Sequence, residues 1–418
     1  MLLDSCSVSA LTLCGRPAEE RSYCRSMETG TDGFVEQGYG AVADAFRHNF
    51  EDHGEDAAAV TVFHGGRLIA DVWGGRDVVN RRAMPRDGLM MVASCSKGIA
   101  ATVLAMLVQQ GKVDPDERVS TYWPEFAANG KEHATVAMVA SHTVGLPYPP
   151  LGTGLQGLDL HRGEGVTRAL AAAAPLWEPG TAMAYHPVTY GTLLDEIVRR
   201  ATGSTIATHV HRLVAEPLGV DMWMGLPAEL DARVVPGQWE QASPMEPDDE
   251  EAFEPGSYAA VRQDFLRENP PMDPDFADPQ EVRAHYAAER PAIGAITSAR
   301  ALATMYAAVL GPVDGTRLVD DETLQVALRP RTDDVETLIE SGTAGPDIRF
   351  GLGYQLASPS MPGFGPRSFG HTGAGARLGL ADTEHQVAFG YVCSRMRNIG
   401  PHGDPRWASL IDAVRRSL

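Results

Sequence analysis

The sequence is short of lysine, of cysteine and of long apolar runs, and each shortage excludes a class of function. Lys97, Lys112 and Lys131 are the only lysines among 35 basic residues, set against 55 acidic ones for a net charge of −20. No basic run interrupts that balance, whereas a nucleic-acid binder carries a basic face. The five cysteines, Cys6, Cys14, Cys24, Cys95 and Cys393, are odd in number and unevenly spread, so no disulfide framework is expected. No stretch approaches the roughly 20 apolar residues that span a bilayer, so no membrane partner is expected. Asp4 stands where a secretion signal wants positive charge, and Leu13 before Cys14 is too bulky for a lipoprotein cleavage box. The expectation is a cytoplasmic protein, with residues 1–32 a loose tail and Met27 a candidate start.

What is present describes a folded chain. Hydrophobic residues make up 44% and charged residues 22%, ordinary for a globular protein. Val35, Tyr39, Val42, Phe46 and Phe50 recur at spacings of three and four, which predicts an amphipathic helix. The β-rich runs on either side of Gly65-Gly66 predict a hairpin. Residues 94–112 are predicted helical, with Ile99, Val103, Met106 and Leu107 on one face. Helical patterns separated by Pro and Gly fill 160–230. Residues 236–280 carry Glu246, Asp248, Asp249, Glu250, Glu251 and Glu254 among scattered prolines. That composition predicts a long solvated excursion, or alternatively a flap over a binding cleft.

Residues 293–310 are predicted helical, and ARLGLAD and QVAFGYVC read as paired strands. Asp404-Pro405 opens a last helix with Trp407, Leu410, Ile411, Val414 and Leu418 as its buried stripe. The fold class that follows is α+β. An antiparallel sheet comes from both chain ends, 33–93 and 291–418, and is flanked by helices. A mostly helical domain, 94–290, is inserted between them.

One chemical pattern stands out, Ser94-Cys95-Ser96-Lys97 at a helix start. Residues i and i+3 share a helical face, so the amine can reach the hydroxyl. The helix N-terminus adds free N–H groups that suit a developing oxyanion. Ser-x-x-Lys is a known nucleophile arrangement, although a helix cap with a surface lysine would leave the same letters. Cys95, one residue on, faces away and reads as a small core residue. His142 reads as a satisfied structural histidine. His209 and His211 diverge on a helix, so no metal site is expected, and no cofactor is implied. No Gly-x-Ser-x-Gly elbow occurs, which removes the main signature of the α/β-hydrolases.

Several segments, in order, resemble the serine β-lactamase and penicillin-binding-protein superfamily, and within it class C β-lactamases and class VIII carboxylesterases. They are MVASCSKGIAATVLAMLVQQGKVDPDERVSTYWPEF, ATVAMVASHTVGLP, APLWEPGTAMAYHPVTYG, IGAITSARALATMYAAVL and SFGHTGAGARLGL. The likeness runs from about residue 35 to residue 418. It implies Ser94 as the acylated nucleophile, Lys97 as the group that holds its proton, and Tyr185 as the partner base. It makes His371, Thr372 and Gly373 a third motif on the sheet edge, and it gives the oxyanion hole to the amides of Ser94 and Ala374. Tyr190 is the alternative base. Trp177 either packs its turn or lines the acyl pocket.

Two departures bear on substrate. Tyr185-His186-Pro187 stands where the lactamases have Tyr-x-Asn, and His371 stands where they have lysine. Both weaken the case for β-lactams and suit a small-molecule ester without a fixed carboxylate. Transfer of the acyl group to an amine or alcohol, weak β-lactamase action, or a non-catalytic penicillin-binding module are the alternatives.

Overall fold

Residues 30–240, 253–254, 256–269, 278–338, 347–361, 363–400 and 402–418 are described in this computed structural model. Cys6, Cys14, Cys24, Met27 and most of the acidic run lie outside them.

Alternating apolar residues make long strands here. Thr31–Val35 (β1) is followed by the helix Gly40–Asp52 (α1), then by Ala57–His64 (β2) and Arg67–Asp77 (β3). Gly65 and Gly66 make the hairpin turn with φ of +55° and +75°, a region glycine enters freely. The chain returns to this sheet late, through Arg349–Phe350 (β5), Gln355–Leu356 (β6), Ser368–Gly373 (β7), Arg377–Asp382 (β8) and Val387–Cys393 (β9). The strand order is β1-β3-β2-β9-β8-β7-β6-β5, antiparallel throughout. Both chain ends therefore build one sheet.

The two faces of β9 show the period of two. Phe389, Tyr391 and Cys393 pack with Phe46 of α1 and with Trp407 and Leu410 of the last helix, Pro405–Arg415 (α6). Ala388 and Val392 pack on the other face with Ala299–Leu310 (α5). That helix crosses so closely that a Cβ on Gly390 would stand 2.3 Å from the Ala299 carbonyl oxygen. The helix Cys95–Gln109 (α2) is apolar nearly all round and lies in the same core, as a fully enclosed helix must. Thr189–Thr202 (α3) belongs to the helical part beside it.

Four expectations need correction. Val35 belongs to β1, and the helix starts only after the turn at Gly38, whose φ is +99°. Residues Ala295–Thr297 form a short strand (β4) before α5, because Ser298 caps the helix by accepting from the Ala301 amide. Leu418 is 45% exposed, beyond the end of α6. The excursion is not simply solvated where it is described. Tyr258–Glu268 (α4) buries Tyr258, Phe265 and Leu266 against Tyr148, Leu160 and Ala184. Among the described residues no helix is long and apolar enough to cross a membrane.

Candidate active site

The chain enters α2 through Ala93, held at φ +46°, a left-handed geometry that costs a non-glycine residue energy. Neighbours fix it there. The Val92 amide donates to the Ala295 carbonyl at 2.9 Å, and the Ser96 hydroxyl accepts from the Ala295 amide at 2.9 Å. The head of α2 is thus tied to β4, with Ser94 half-buried at the cap. The amides of Cys95, Ser96 and Lys97 are spent on Val92, Ala93 and Ser94 carbonyls, and the Ser94 amide stands ahead of that run.

Lys97 is fully buried. Its Nζ lies 3.2 Å from Ser94 Oγ, 2.9 Å from the Pro187 carbonyl oxygen and 3.1 Å from the Ala292 carbonyl oxygen. Burial holds the amine well below the usual lysine pKa. A neutral amine has two N–H bonds and one lone pair. The two carbonyls can only accept, so they take the N–H bonds, and the lone pair is left for the serine hydroxyl. That arrangement can accept a proton.

Tyr185, ninety-one residues from Ser94 in sequence, is brought to the same amine. Nζ lies 4.7 Å from its ring centroid, against 5.7 Å for Tyr190. The Tyr185 ring stacks on Phe350 at 6.2 Å and lies 6.1 Å from His371 and 4.9 Å from His142. Tyr185 is half-buried, whereas Tyr190 is enclosed, its hydroxyl without a hydrogen-bond partner among the described residues and its pKa pushed up by burial.

The edge of β7 closes the group. A Cβ on Gly373 would meet the Val92 carbonyl oxygen at 2.3 Å, so strand and helix head are in close contact. Cys95 Sγ, buried, donates to the His371 carbonyl at 3.3 Å, and burial raises its thiol to about 12. It is a packing group, as expected. His371 Nδ1 lies 2.6 Å from the Thr372 carbonyl, which can only accept, so the proton is on Nδ1. Its Nε2 is a buried lone pair without a partner. Burial lowers this imidazole to about 3, so it is neutral and no substitute for a cation. Thr372 gives both its amide and its hydroxyl to Gln355 Oε1, each at 3.1 Å. Ala374 follows, exposed, in the turn to β8.

His142 departs from expectation. It sits at φ +65°, its Nδ1 accepts from the His186 amide at 3.1 Å, and its Nε2 is buried without a partner. His186 was not singled out by sequence, yet it ties the Tyr185 loop down. Its Nδ1–H donates to the Ala184 carbonyl at 2.6 Å, and its Nε2 accepts from the Leu146 amide at 3.0 Å. Trp177 donates to the Thr143 carbonyl at 3.1 Å and meets His186 and Tyr258 edge-on. A cleft of about 230 Å³ beside Phe265 is lined by Leu155 and Leu160 and does not include Ser94.

His209 and His211 do not converge: one bonds the Thr202 hydroxyl, the other stacks on Trp223. No metal-binding cluster occurs among the described residues.

Ser94, Lys97, Tyr185 and His371 meet where a helical insert joins a sheet built from both chain ends, which is the architecture of the serine β-lactamase type. The chain belongs to the Beta-lactamase family, whose profile matches residues 42–412. It is 31% identical over 396 residues to "Esterase/beta-lactamase LipL" of Mycobacterium tuberculosis, spanning 87% of this chain and 83% of that one. It is similar in structure to a family VIII carboxylesterase, with a TM-score of 0.78 at 32% identity over 93% of this chain and 100% of that chain. A penicillin-binding protein homologue from Caulobacter crescentus matches at TM-score 0.78 and 30% identity, again over 93% of this chain and 100% of that one.

Proposed function

We propose that the protein hydrolyses carboxylic esters through an acyl-enzyme on Ser94. The observation that carries this is the buried Lys97 amine, 3.2 Å from Ser94 Oγ and bound on its other side by two carbonyls. Lys97 takes the hydroxyl proton as Ser94 attacks the ester carbonyl. The amides of Ser94 and Ala374 receive the oxyanion. The Lys97 ammonium returns that proton to Tyr185 as Tyr185 gives its own to the departing alcohol, so both groups end neutral; water, deprotonated by the same pair, then releases the acid and frees Ser94. His371, neutral, accepts a hydrogen bond from substrate and offers no charge to a carboxylate. Trp177 lines the acyl side.

Kinship to an esterase and to a family VIII carboxylesterase supports the ester as substrate class. The test is turnover of p-nitrophenyl butyrate by wild type and by Ser94→Ala. Loss of turnover in the variant supports the reading, and full activity rejects it. Acyl transfer to an added amine outpacing hydrolysis would make the protein a transacylase instead. Stable labelling without turnover would make it a binding module.

A further inference from the structure

Arg377 is a buried guanidinium, 2% exposed, with no ion-pair partner among the described residues. Among the described residues its single hydrogen bond runs from Nη1 to the Ala374 carbonyl oxygen at 2.8 Å, and its Nε has no partner there. Burying an unpaired cation costs several kcal/mol, so a neutral side chain of similar size would stabilise the fold more. The surroundings are nevertheless shaped to admit it. A Cβ on Gly375 would lie 2.1 Å from Nη1, and one on Gly237 would lie 2.3 Å from Nη2. Gly237 leads into Gln238–Trp239, which pairs with Arg395–Met396 on the same side of the molecule. Two separate chain segments therefore leave out side chains where the guanidinium and the Met396 side chain packed beside it sit.

We propose that Arg377 is a positioning residue for the oxyanion turn: its guanidinium, clamped between Gly237 and Gly375, holds residue 374 in place and sets its positive charge beneath the developing oxyanion. This rests on the ester-hydrolase reading above. The turn from β7 to β8 has Gly373, still paired in the ladder opposite Arg377, before Ala374, and Gly375, at φ +80°, after it, a residue that gives the turn backbone freedom. A donor that must meet an oxyanion cannot be free to swing; the Cys393 thiol holds the Gly375 carbonyl at 3.2 Å, and the bond from Arg377 holds residue 374 itself. The charge adds a favourable field in a place where water cannot screen it. Because it acts on the transition state and not on substrate docking, its loss falls on kcat.

The experiment compares wild type, Arg377→Met, Arg377→Lys and Gly237→Ala in steady-state hydrolysis of p-nitrophenyl butyrate, with thermal denaturation alongside. Arg377→Met is expected to lose about 100-fold in kcat with KM nearly unchanged, the size seen when one oxyanion donor is lost. Added guanidinium is expected to restore part of that loss. Gly237 has an ordinary φ, so alanine is tolerated by its backbone; the new methyl pushes Nη2, at 2.3 Å, harder than the Met396 sulfur, at 2.7 Å, a flexible side chain that can give way. Gly237→Ala is expected to lower kcat by about tenfold, again with KM unchanged. It decides the matter should the Arg377 variants not fold. A folded Arg377→Met or Gly237→Ala with wild-type kcat overturns the proposal. So does a loss in Tm with no separation of kcat from KM and no rescue, because that is a packing role alone. Wild type that neither turns over ester nor labels at Ser94 overturns the ester-hydrolase reading itself, a separate outcome.

Discussion

Acidification should unfold this protein early, and the buried histidines set the slope. His142, His161, His186 and His371 are all buried, and burial is the main cause that lowers each of them. Three fall to about 3 from the ordinary 6.5, and His142 falls well below it. Between those values the unfolded chain binds protons that the folded chain refuses. The stability they contribute is complete above pH 6.5 and is lost as the pH falls toward the folded values. Each uncompensated proton is worth about 1.4 kcal/mol per pH unit. Two carboxyls work the other way. Burial raises Asp195 to about 6 and raises Glu55, so the folded state takes up those protons first and is relieved by acid. His285, buried and lowered to about 4, and His209, also lowered by burial, act in the same direction as the other histidines. His161, His186, His371 and His285 against Asp195 alone leave a net of about three protons, or about 4 kcal/mol per pH unit. Two pH units below 6.5 then remove about 7 kcal/mol, a large part of a typical stability of about 5–15 kcal/mol. Urea unfolding followed by circular dichroism at pH 7, 6, 5 and 4 measures it. A stability that is flat between pH 6.5 and 4.5 refutes the burial argument.

Other substitutions separate the site's parts. Lys97→Met should slow ester turnover by at least about 100-fold, the usual cost of losing a proton acceptor, with kcat/KM as the readout. Tyr185→Phe should cost a similar factor, whereas Tyr190→Phe removes a buried hydroxyl that has no partner, and should keep both kcat and Tm close to wild type. Gly98→Ala places a Cβ 2.2 Å from the Tyr306 hydroxyl inside the core, and should lower stability by about 1–3 kcal/mol in thermal denaturation.

Much of the fold was legible because its patterns are strong. The run from Ala57 to Asp77 could only be a hairpin about Gly65-Gly66, and the period of two in β8 and β9 placed the late strands. Ser94 and Lys97 were legible because three residues on a helix is a physical distance. Tyr185 was different: nothing in its neighbours tells that eighty-eight residues of chain return it to Lys97, and only family likeness pointed there. The helix Tyr258–Glu268 was hidden by the acidic composition around it, although Tyr258, Val261 and Phe265 keep a helical spacing. Strand β4 was absorbed into the helix that follows, since Ala295, Ile296 and Thr297 fit either period. Arg377 gave no signal, because nothing in the strand pattern of ARLGLAD marks its one arginine for burial. Its burial depends on Gly237, far away in sequence.

The central claim is that Lys97 is neutral when Ser94 reacts. Intact-protein mass spectrometry of Ser94 acylation by a fluorophosphonate, timed across pH 5–10, tests it directly. The expected result is a rate that rises with a midpoint well below 10.5, the ordinary lysine value, and a rise that vanishes in Lys97→Met. A midpoint at that ordinary value, or equal labelling in Lys97→Met, would contradict it.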